Sequence, residues 1–481
     1  MKILFLHPPW PGEGYGLRSQ NRWPRKRGDK TNRYPILLCY VATLLKENGY
    51  DVKYIDSVIQ DFDLKRTLDE VGAFDPDVIF IETATPTYAY DLKVVNKIKD
   101  RFDVKVLMAG SHVTKFPEKT VENSKVDVVI KGEMDQTTLN VVNAIKKKRS
   151  LKKVKGICFM DGDDIVNNEP AELIKDLDTL PFPDRDLIPH EWYIEGHVRN
   201  FPFTFVMAAR GCPNKCTFCL WPHVYYGHSV RVRSAKNVVD ELEWLIKRYG
   251  MEEVFFDEGT FNISKKRVVE FCDEILRRDV NIVWSCSGRV DCVDLEMLQL
   301  MKQAGCKLIC YGVESANPRT LEKTNKKIDV GQTERAVKLT KLAGIICHVN
   351  LMVGFPWETK AEMDNTINFG LKLEADTVQY SLVFPHPGSE MYDQAIENDW
   401  FYSDVLNDCS KFDMTSGPVL KTIIPREEMK DIVSNAHAKF FLRPSYVLSQ
   451  VAKIKNYEDF KYTFRGAKSI IKGKILFKKD D

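Results

Sequence analysis

At 481 residues, with 44% apolar and 29% charged side chains, the chain is too long for one hydrophobic core and has the balance of a globular protein of two or three domains. A formal net charge of +2 argues against an obligate nucleic-acid partner, and none is expected. Twelve cysteines are too dilute for a secreted disulfide scaffold, and the opening MKILFLHPPW has an apolar run too short for a signal peptide or a membrane span, so the cytoplasm is the expected compartment.

Residues 1–150 alternate strand-like runs with helical ones: KILFLHP, a helical ILLCYVATLLKENG, then DVKYID, PDVIFIE, KVLMAGSH and VDVVIKGE. Runs this apolar fit parallel strands covered on both faces, an open doubly wound sheet. Ligands of such sheets bind beyond the carboxyl ends of the strands. Those ends carry His7, Pro8 and Pro9, then Asp56, Glu82 and Thr83, then Gly110, Ser111 and His112, and finally Gly132 and Glu133. Between the first strand and helix lie Arg18, Arg22, Arg25, Lys26, Arg27, Lys30 and Arg33, either a ligand-gripping loop or a solvated charge run. Residues 151–195 continue with a small hairpin, GICFMDGDDIVNN, and a proline-rich linker, LDTLPFPDRDLIP.

Over residues 196–405 the βα rhythm resumes with FTFVMAAR, EVFFDEG, NIVWSCSGR, CKLICYGVES, IICHVNLMVG and DTVQYSLVFP. Six strands predict a partial (β/α)6 barrel rather than the closed eightfold one. Residues 406–481 form a mainly helical end region around REEMKDIVSNAHAKFFL. In its tail Lys468, Lys472, Lys474, Lys478 and Lys479 alternate with Ile470, Ile471, Ile475, Leu476 and Phe477. That tail suits either a last element packed on the barrel or an anionic membrane surface.

The stretch GCPNKCTFC sets Cys212, Cys216 and Cys219 where one loop can wrap one metal centre. Structural zinc normally takes four protein ligands, and the nearest further donor is His223, off the usual spacing. Three thiolates would leave one iron of a cubane cluster open to bind something else, cysteine-held clusters being the precedent. The other nine cysteines are scattered, and no auxiliary cluster is expected.

The spacing C-x3-C-x2-C, with Phe218 before the last cysteine, resembles the signature of the radical S-adenosylmethionine (SAM) enzymes, and the strand-end motifs downstream of it are similar in order to those of that family's barrel. The resemblance implies a [4Fe-4S] cluster on Cys212, Cys216 and Cys219. It places Asp257, Glu258 and Gly259 near the methionyl amine of SAM, and Arg289 near its carboxylate. Gly312, Glu314 and Ser315, in YGVES, and Gly354, Phe355 and Pro356, in NLMVGFPWET, would line the cofactor. The late VFPHPGSEMYDQA, with Pro385, Pro387, Gly388 and Ser389, resembles the barrel end of members that carry an extra N-terminal domain. The implied chemistry is reductive cleavage of SAM to methionine and a 5′-deoxyadenosyl radical.

The N-terminal sheet resembles the flavodoxin-like cobalamin-binding domain of the class in which both cofactors meet at the domain interface. By that resemblance Thr83, Thr85, Pro86 and Thr87 line a cobalamin pocket, with Gly110 giving clearance. No D-x-H-x-x-G is present, so His112 is expected at the cofactor's edge or backbone and cobalamin without a histidine lower ligand. The implied function is methyl transfer from methylcobalamin to an unactivated carbon. The alternative is cyclisation or another carbon–carbon bond formation, as in the subgroup of the anaerobic magnesium-protoporphyrin monomethyl ester cyclase. NRWP and RYP resemble members linked to hopanoid and other membrane lipids, pointing to a hydrophobic substrate. An external one-electron donor, such as flavodoxin or ferredoxin, and peripheral contact with the inner face of the membrane complete the expectations.

Overall fold

The computed structural model describes residues 1–12, 15, 16, 18, 26, 27, 32–193, 195, 198, 200–413 and 417–452. The N-terminal sheet contains β1 (Lys2–His7), β2 (Asp51–Asp56), β3 (Val78–Glu82), β4 (Lys105–Ala109), β5 (Val128–Ile130), β6 (Ile157–Asp161) and β7 (Asp164–Asn167), in the order β2-β1-β3-β4-β5-β6-β7. The first five run parallel, as the apolar runs of β1, β3, β4 and β5 predict, with the more polar β2 at the sheet edge. The hairpin β6–β7 adds antiparallel to β5, so the sheet continues past residue 150. The strand order reverses between β1 and β3, which places the ligand crevice beside His7 and Glu82.

The barrel strands are β8 (Phe203–Val206), β9 (Glu253–Phe256), β10 (Val283–Gly288), β11 (Cys306–Glu314), β12 (Ile346–Val353) and β13 (Thr377–Leu382), all parallel and in chain order. The sheet is open, with β8 and β13 at its edges. The covering helices Ala235–Tyr249, Lys265–Arg277, Leu295–Gln303, Val330–Leu342 and Lys360–Lys372 begin on Ser234, Ser264, Asp294, Asp329 and Thr359, whose side chains accept an N–H of the first turn. Alternate strand residues, among them Val254, Phe256, Trp284, Ile309 and Tyr311, pack under these helices.

The intervening Phe203, Phe205 and Phe255 join a different core, shared with Ile3, Phe5, Leu37 and Leu38 of the N-terminal domain. Helix Ile36–Glu47 lies between the two domains, which is why it is apolar nearly all round. Edge strand β8 is covered chemically as well: Arg185 donates to the Phe205 carbonyl (2.8 Å) and Arg233 to that of Met207 (2.9 Å). Helix Arg426–Phe441 closes the far side, sending Met429 and Phe440 into the barrel core.

Candidate active site

Strand β8 ends in a short antiparallel pair, Ala209–Arg210 with Arg231–Val232, that frames the cysteine loop. Gly211 opens the loop at φ +86°, where a Cβ would stand 2.1 Å from the Ser229 carbonyl oxygen. The Cys212 N–H donates to Gly227 (3.2 Å), and the Cys219 N–H donates back to Cys216 (3.1 Å), turning the loop on itself. Cys212 and Cys216 are buried and Cys219 half-buried. Burial pushes the Cys216 thiol up, against the pull of Lys326. Among the described residues no three His, Cys, Asp or Glu side chains are already drawn together in metal-ligand geometry. The donor set itself is soft and incomplete: three thiols, with His223 turned on the Cys216 backbone and His228 Nδ1 3.2 Å from the Cys212 carbonyl oxygen. It fits an iron–sulfur cluster with one open iron better than a closed zinc site. Gly259 is the clearance beneath, since a Cβ there would lie 3.1 Å from Cys212 Cβ.

Around this loop the structure sorts the expected SAM contacts. Asp257 is fully buried at the end of β9, and Nη2 of Arg33, from the N-terminal domain, stands 3.5 Å from its Oδ1. Glu258, expected beside it, is committed elsewhere. Neighbouring residues leave a strand on opposite sides, and Glu258 pairs with Arg267 (2.7 Å) and accepts the Ala208 N–H (3.2 Å). Arg289 is bidentate to Asp291 (2.8 and 2.9 Å) and donates to the Lys326 carbonyl (3.1 Å). It therefore shapes a loop rather than offering a free guanidinium. The cation which that loop delivers is Lys326, whose Nζ is 2.8 Å from Glu314 Oε1 and 6.0 Å from the Phe218 ring centre. Glu314 sits at φ +69°, and Gly312 clears the pair, because a Cβ there would meet Glu314 Oε1 at 2.5 Å and Lys326 Nζ at 2.9 Å. Ser315 is tied to Thr366 (3.2 Å) and accepts the Asn317 N–H (3.1 Å), so its role is to hold the turn. Lys326 is one of 70 Lys and Arg residues, and nothing in its local sequence marked it.

Gly354 and Phe355, followed by Pro356, open the turn after β12, with Gly354 at φ +90° and both amides donating to Glu358 (3.0 and 3.1 Å). Burial pushes the Glu358 carboxyl up to about 7, although the two amides pull it down. The fold therefore binds this proton more tightly than the unfolded chain does. The resulting stabilisation is complete below about pH 4.5 and disappears as pH rises through 7. Between pH 4.5 and 8 the parent should lose about 3 kcal/mol relative to Glu358→Gln, read from the urea midpoints of the two apo-proteins.

At the N-terminal sheet His7 lies between Asp56 (3.5 Å) and Glu82 (3.3 Å), with the Tyr54 hydroxyl at 2.9 Å. Burial alone would depress the imidazole, but Asp56 and Glu82 raise it to about 9. Pro8 and Pro9 are fixed by Arg18, which donates to both carbonyls (2.6 and 2.9 Å) and is bidentate to Asp91 (3.2 and 2.8 Å). Arg18 and Arg33 are thus not part of a solvated run. Arg22, Arg25 and Lys30, the NRWP stretch and the tail lysines lie outside the described residues. Thr83 and Thr87, expected to line a pocket, donate to Asp91 (2.8 and 2.7 Å). Glu133 is likewise spent: with Asp135 it holds Arg210 (2.6 Å each), and it also pairs with Arg231 (2.9 Å). Gly132, beside it, turns at φ +71°.

What remains unsatisfied at this edge is informative. Glu82 Oε1, Thr85 Oγ1, Ser111 Oγ and His112 Nδ1 are buried without a hydrogen-bond partner among the described residues. Gly110, at φ +133°, lets β4 turn where a Cβ would strike the Thr83 carbonyl oxygen at 2.1 Å. His112 lies in a short helix, Ser111–Lys115, with its ring 4.1 Å from that of Tyr88, and burial lowers it to about 3. Donors and acceptors withheld from water and from each other fit a ligand rich in amide groups, as cobalamin is.

A doubly wound sheet with an unsatisfied polar crevice, clamped to an open barrel with a three-thiol loop at its mouth, defines an enzyme with a cofactor site on each domain. The Radical SAM superfamily model matches residues 206–370 and the B12 binding domain model residues 30–142. The chain is 33% identical to the uncharacterized methyltransferase PH0819 of Pyrococcus horikoshii over 94% of its own length and 95% of that protein's. It is 27% identical to the anaerobic magnesium-protoporphyrin IX monomethyl ester cyclase of Rubrivivax gelatinosus, over 98% of this chain and 82% of the other. In fold it matches the cobalamin-dependent SAM radical enzyme OxsB, solved with aqua-cobalamin and SAM, at a TM-score of 0.73 and 16% identity, covering 99% of this chain and 71% of that one. The chain belongs to the family of cobalamin-dependent radical SAM enzymes, and its cofactors are a [4Fe-4S] cluster, SAM and cobalamin.

Proposed function

We propose that the protein is a C-methyltransferase that moves a methyl group from cobalamin to an unactivated carbon of a hydrophobic substrate. The observation that carries this reading is the buried clamp of Arg210 and Arg231 on Glu133 and Asp135, which fixes the thiol loop against the cobalamin edge. The methyltransferase relative that spans nearly the whole chain supports the reaction type. When bound, the cluster and SAM supply a hydrogen-abstracting radical and cobalamin the methyl group.

The chain's own residues bind and orient. Cys212, Cys216 and Cys219 hold the cluster. Asp257 and Glu314 are acceptors for the methionyl ammonium, and Lys326 is the cation for its carboxylate. Glu82, Thr85, Ser111 and His112 serve the cobalamin periphery. A second reading, ring closure or another carbon–carbon bond formation on a lipid- or tetrapyrrole-like substrate, is favoured by the end-to-end likeness to the Rubrivivax cyclase.

A flavodoxin- or ferredoxin-type electron donor and a cytoplasmic place of action belong to the same reading. Among the described residues no helix is long and apolar enough to cross a membrane. Helix Pro444–Ala452 exposes Val447, Leu448 and Val451, which supports contact with a membrane surface.

The test is elemental analysis of protein produced anaerobically with cobalamin supplied. About four irons and one cobalt per chain, with negligible zinc, are expected. S-adenosylhomocysteine formed beside 5′-deoxyadenosine then marks methyl transfer, and 5′-deoxyadenosine alone marks ring closure. Zinc without iron after reconstitution overturns the reading.

A further inference from the structure

We propose that Arg33, a residue of the N-terminal domain, is a positioning residue for Asp257, so that the SAM site in the barrel is completed from across the domain boundary. This rests on the reading that Asp257 accepts the methionyl ammonium.

The backbone around Arg33 is anchored on several sides. The Asn32 amide donates to Gly16 (3.3 Å), and the Tyr34 hydroxyl donates to the Ile188 carbonyl in the linker (3.0 Å). The Tyr34 ring stands edge-on to Tyr193 at 5.4 Å, and Tyr193 in turn reaches Asp56 (2.8 Å) and Tyr54 (3.1 Å) at the cobalamin edge. From this support the guanidinium enters the barrel over Phe205 (4.7 Å) and Phe255 (5.7 Å) and stops 3.5 Å from Asp257 Oδ1. The two rings act as rails that confine a flat cation to one path.

A carboxylate withdrawn from water needs cations close by, and its two oxygens offer about four lone-pair sites, more than one donor uses. Arg33 approaches from one side and fixes the plane in which a ligand's ammonium would be met.

The contact is not built like the chain's structural ion pairs. Arg18 on Asp91 and Arg210 on Asp135 are bidentate, at 2.8–3.2 Å and 2.6–3.1 Å. Arg33 instead divides its fork between two carboxylates, with Nε 3.2 Å from Glu195 Oε2 and Nη2 3.5 Å from Asp257 Oδ1.

The experiment measures SAM affinity by calorimetry on the full chain, loaded anaerobically with cluster and cobalamin, together with the change SAM causes in the EPR spectrum of the reduced cluster. Arg33→Met should weaken SAM binding about tenfold or more and blunt the spectral change at parent-like iron and cobalt content, while the loss of a cation from buried Asp257 lowers the melting temperature. Arg33→Lys should recover part of the affinity. Asp257→Asn should weaken binding too, and adding Arg33→Met to it should cost less than about twofold more, because both act through one contact. Parent-like or tighter binding by Arg33→Met, or losses that add in the double variant, overturns the proposal. Should Arg33→Met fail to load iron, Arg33→Gln is judged by the same outcomes. If the iron-loaded parent itself binds no SAM, or if Asp257→Asn binds it as the parent does, the reading of the Asp257 site falls and the proposal with it.

Discussion

Cys216→Ala is expected to leave a folded protein that holds less than about one iron per chain, against about four in the parent, and that cleaves SAM at least about a thousandfold more slowly. Cys216 lies in the loop outside the packed core that holds Cys272, so its loss should cost the apo fold less than loss of a core cysteine. The cluster loses much more. Cys216 lies at the turn that brings Cys219 back to the loop, and two remaining thiolates cannot hold three irons. Cys272→Ala supplies the contrast, because Cys272 is wholly buried under the barrel helices. It should lower stability and leave the iron content unchanged. Iron analysis beside thermal melts separates ligation from burial.

Arg210→Met should destabilise the protein by about 3–5 kcal/mol and lower its cobalamin content. Its guanidinium is almost wholly buried between Glu133 and Asp135 and under the rings of Tyr40 and Tyr226 (5.2 and 5.1 Å). Removing it strands Asp135 away from water and leaves Glu133 to Arg231 alone, which costs more than the pair's own attraction is worth. Arg210→Lys keeps a charge but not the fork that reaches Asp135 through two nitrogens (2.6 and 3.1 Å), so it should fall between the two. Adding Asp135→Asn to Arg210→Met should restore much of the lost stability, whereas adding Glu133→Gln should not, because Glu133 is still the partner of Arg231. Melting temperature and bound cobalt are the measurements.

Much of this molecule was readable from its residues. The apolar runs located the strands of both sheets, and the cysteine spacing marked the loop that follows the first barrel strand. What stayed hidden depended on where side chains end up once strands stop. Asp257 and Glu258 are adjacent in sequence and look equivalent, but one is contacted across the domain boundary and the other anchors Arg267. Thr83 and Thr87 have the polarity of a pocket lining. Their hydroxyls are taken by Asp91, on helix Tyr88–Arg101, a partner no spacing rule identifies. Arg289 carries the charge expected near a carboxylate, but Asp291, two residues on, claims it, while Lys326, which no motif marked, pairs with Glu314. In the basic stretch before the first helix, Arg18 and Arg33 are drawn inward by carboxylates far along the chain.

Helix Ile36–Glu47, apolar nearly all round because two domains share it, also carries a cost in time. Its outer face meets the barrel only when Phe205 has been made, about 160 residues after Glu47. At ordinary translation speeds that is a delay on the order of 10–30 s. During that interval the nascent chain displays a naked greasy surface to the cell, so synthesis rate and chaperone supply, more than the final stability, should govern how much of this protein is recovered when it is overproduced.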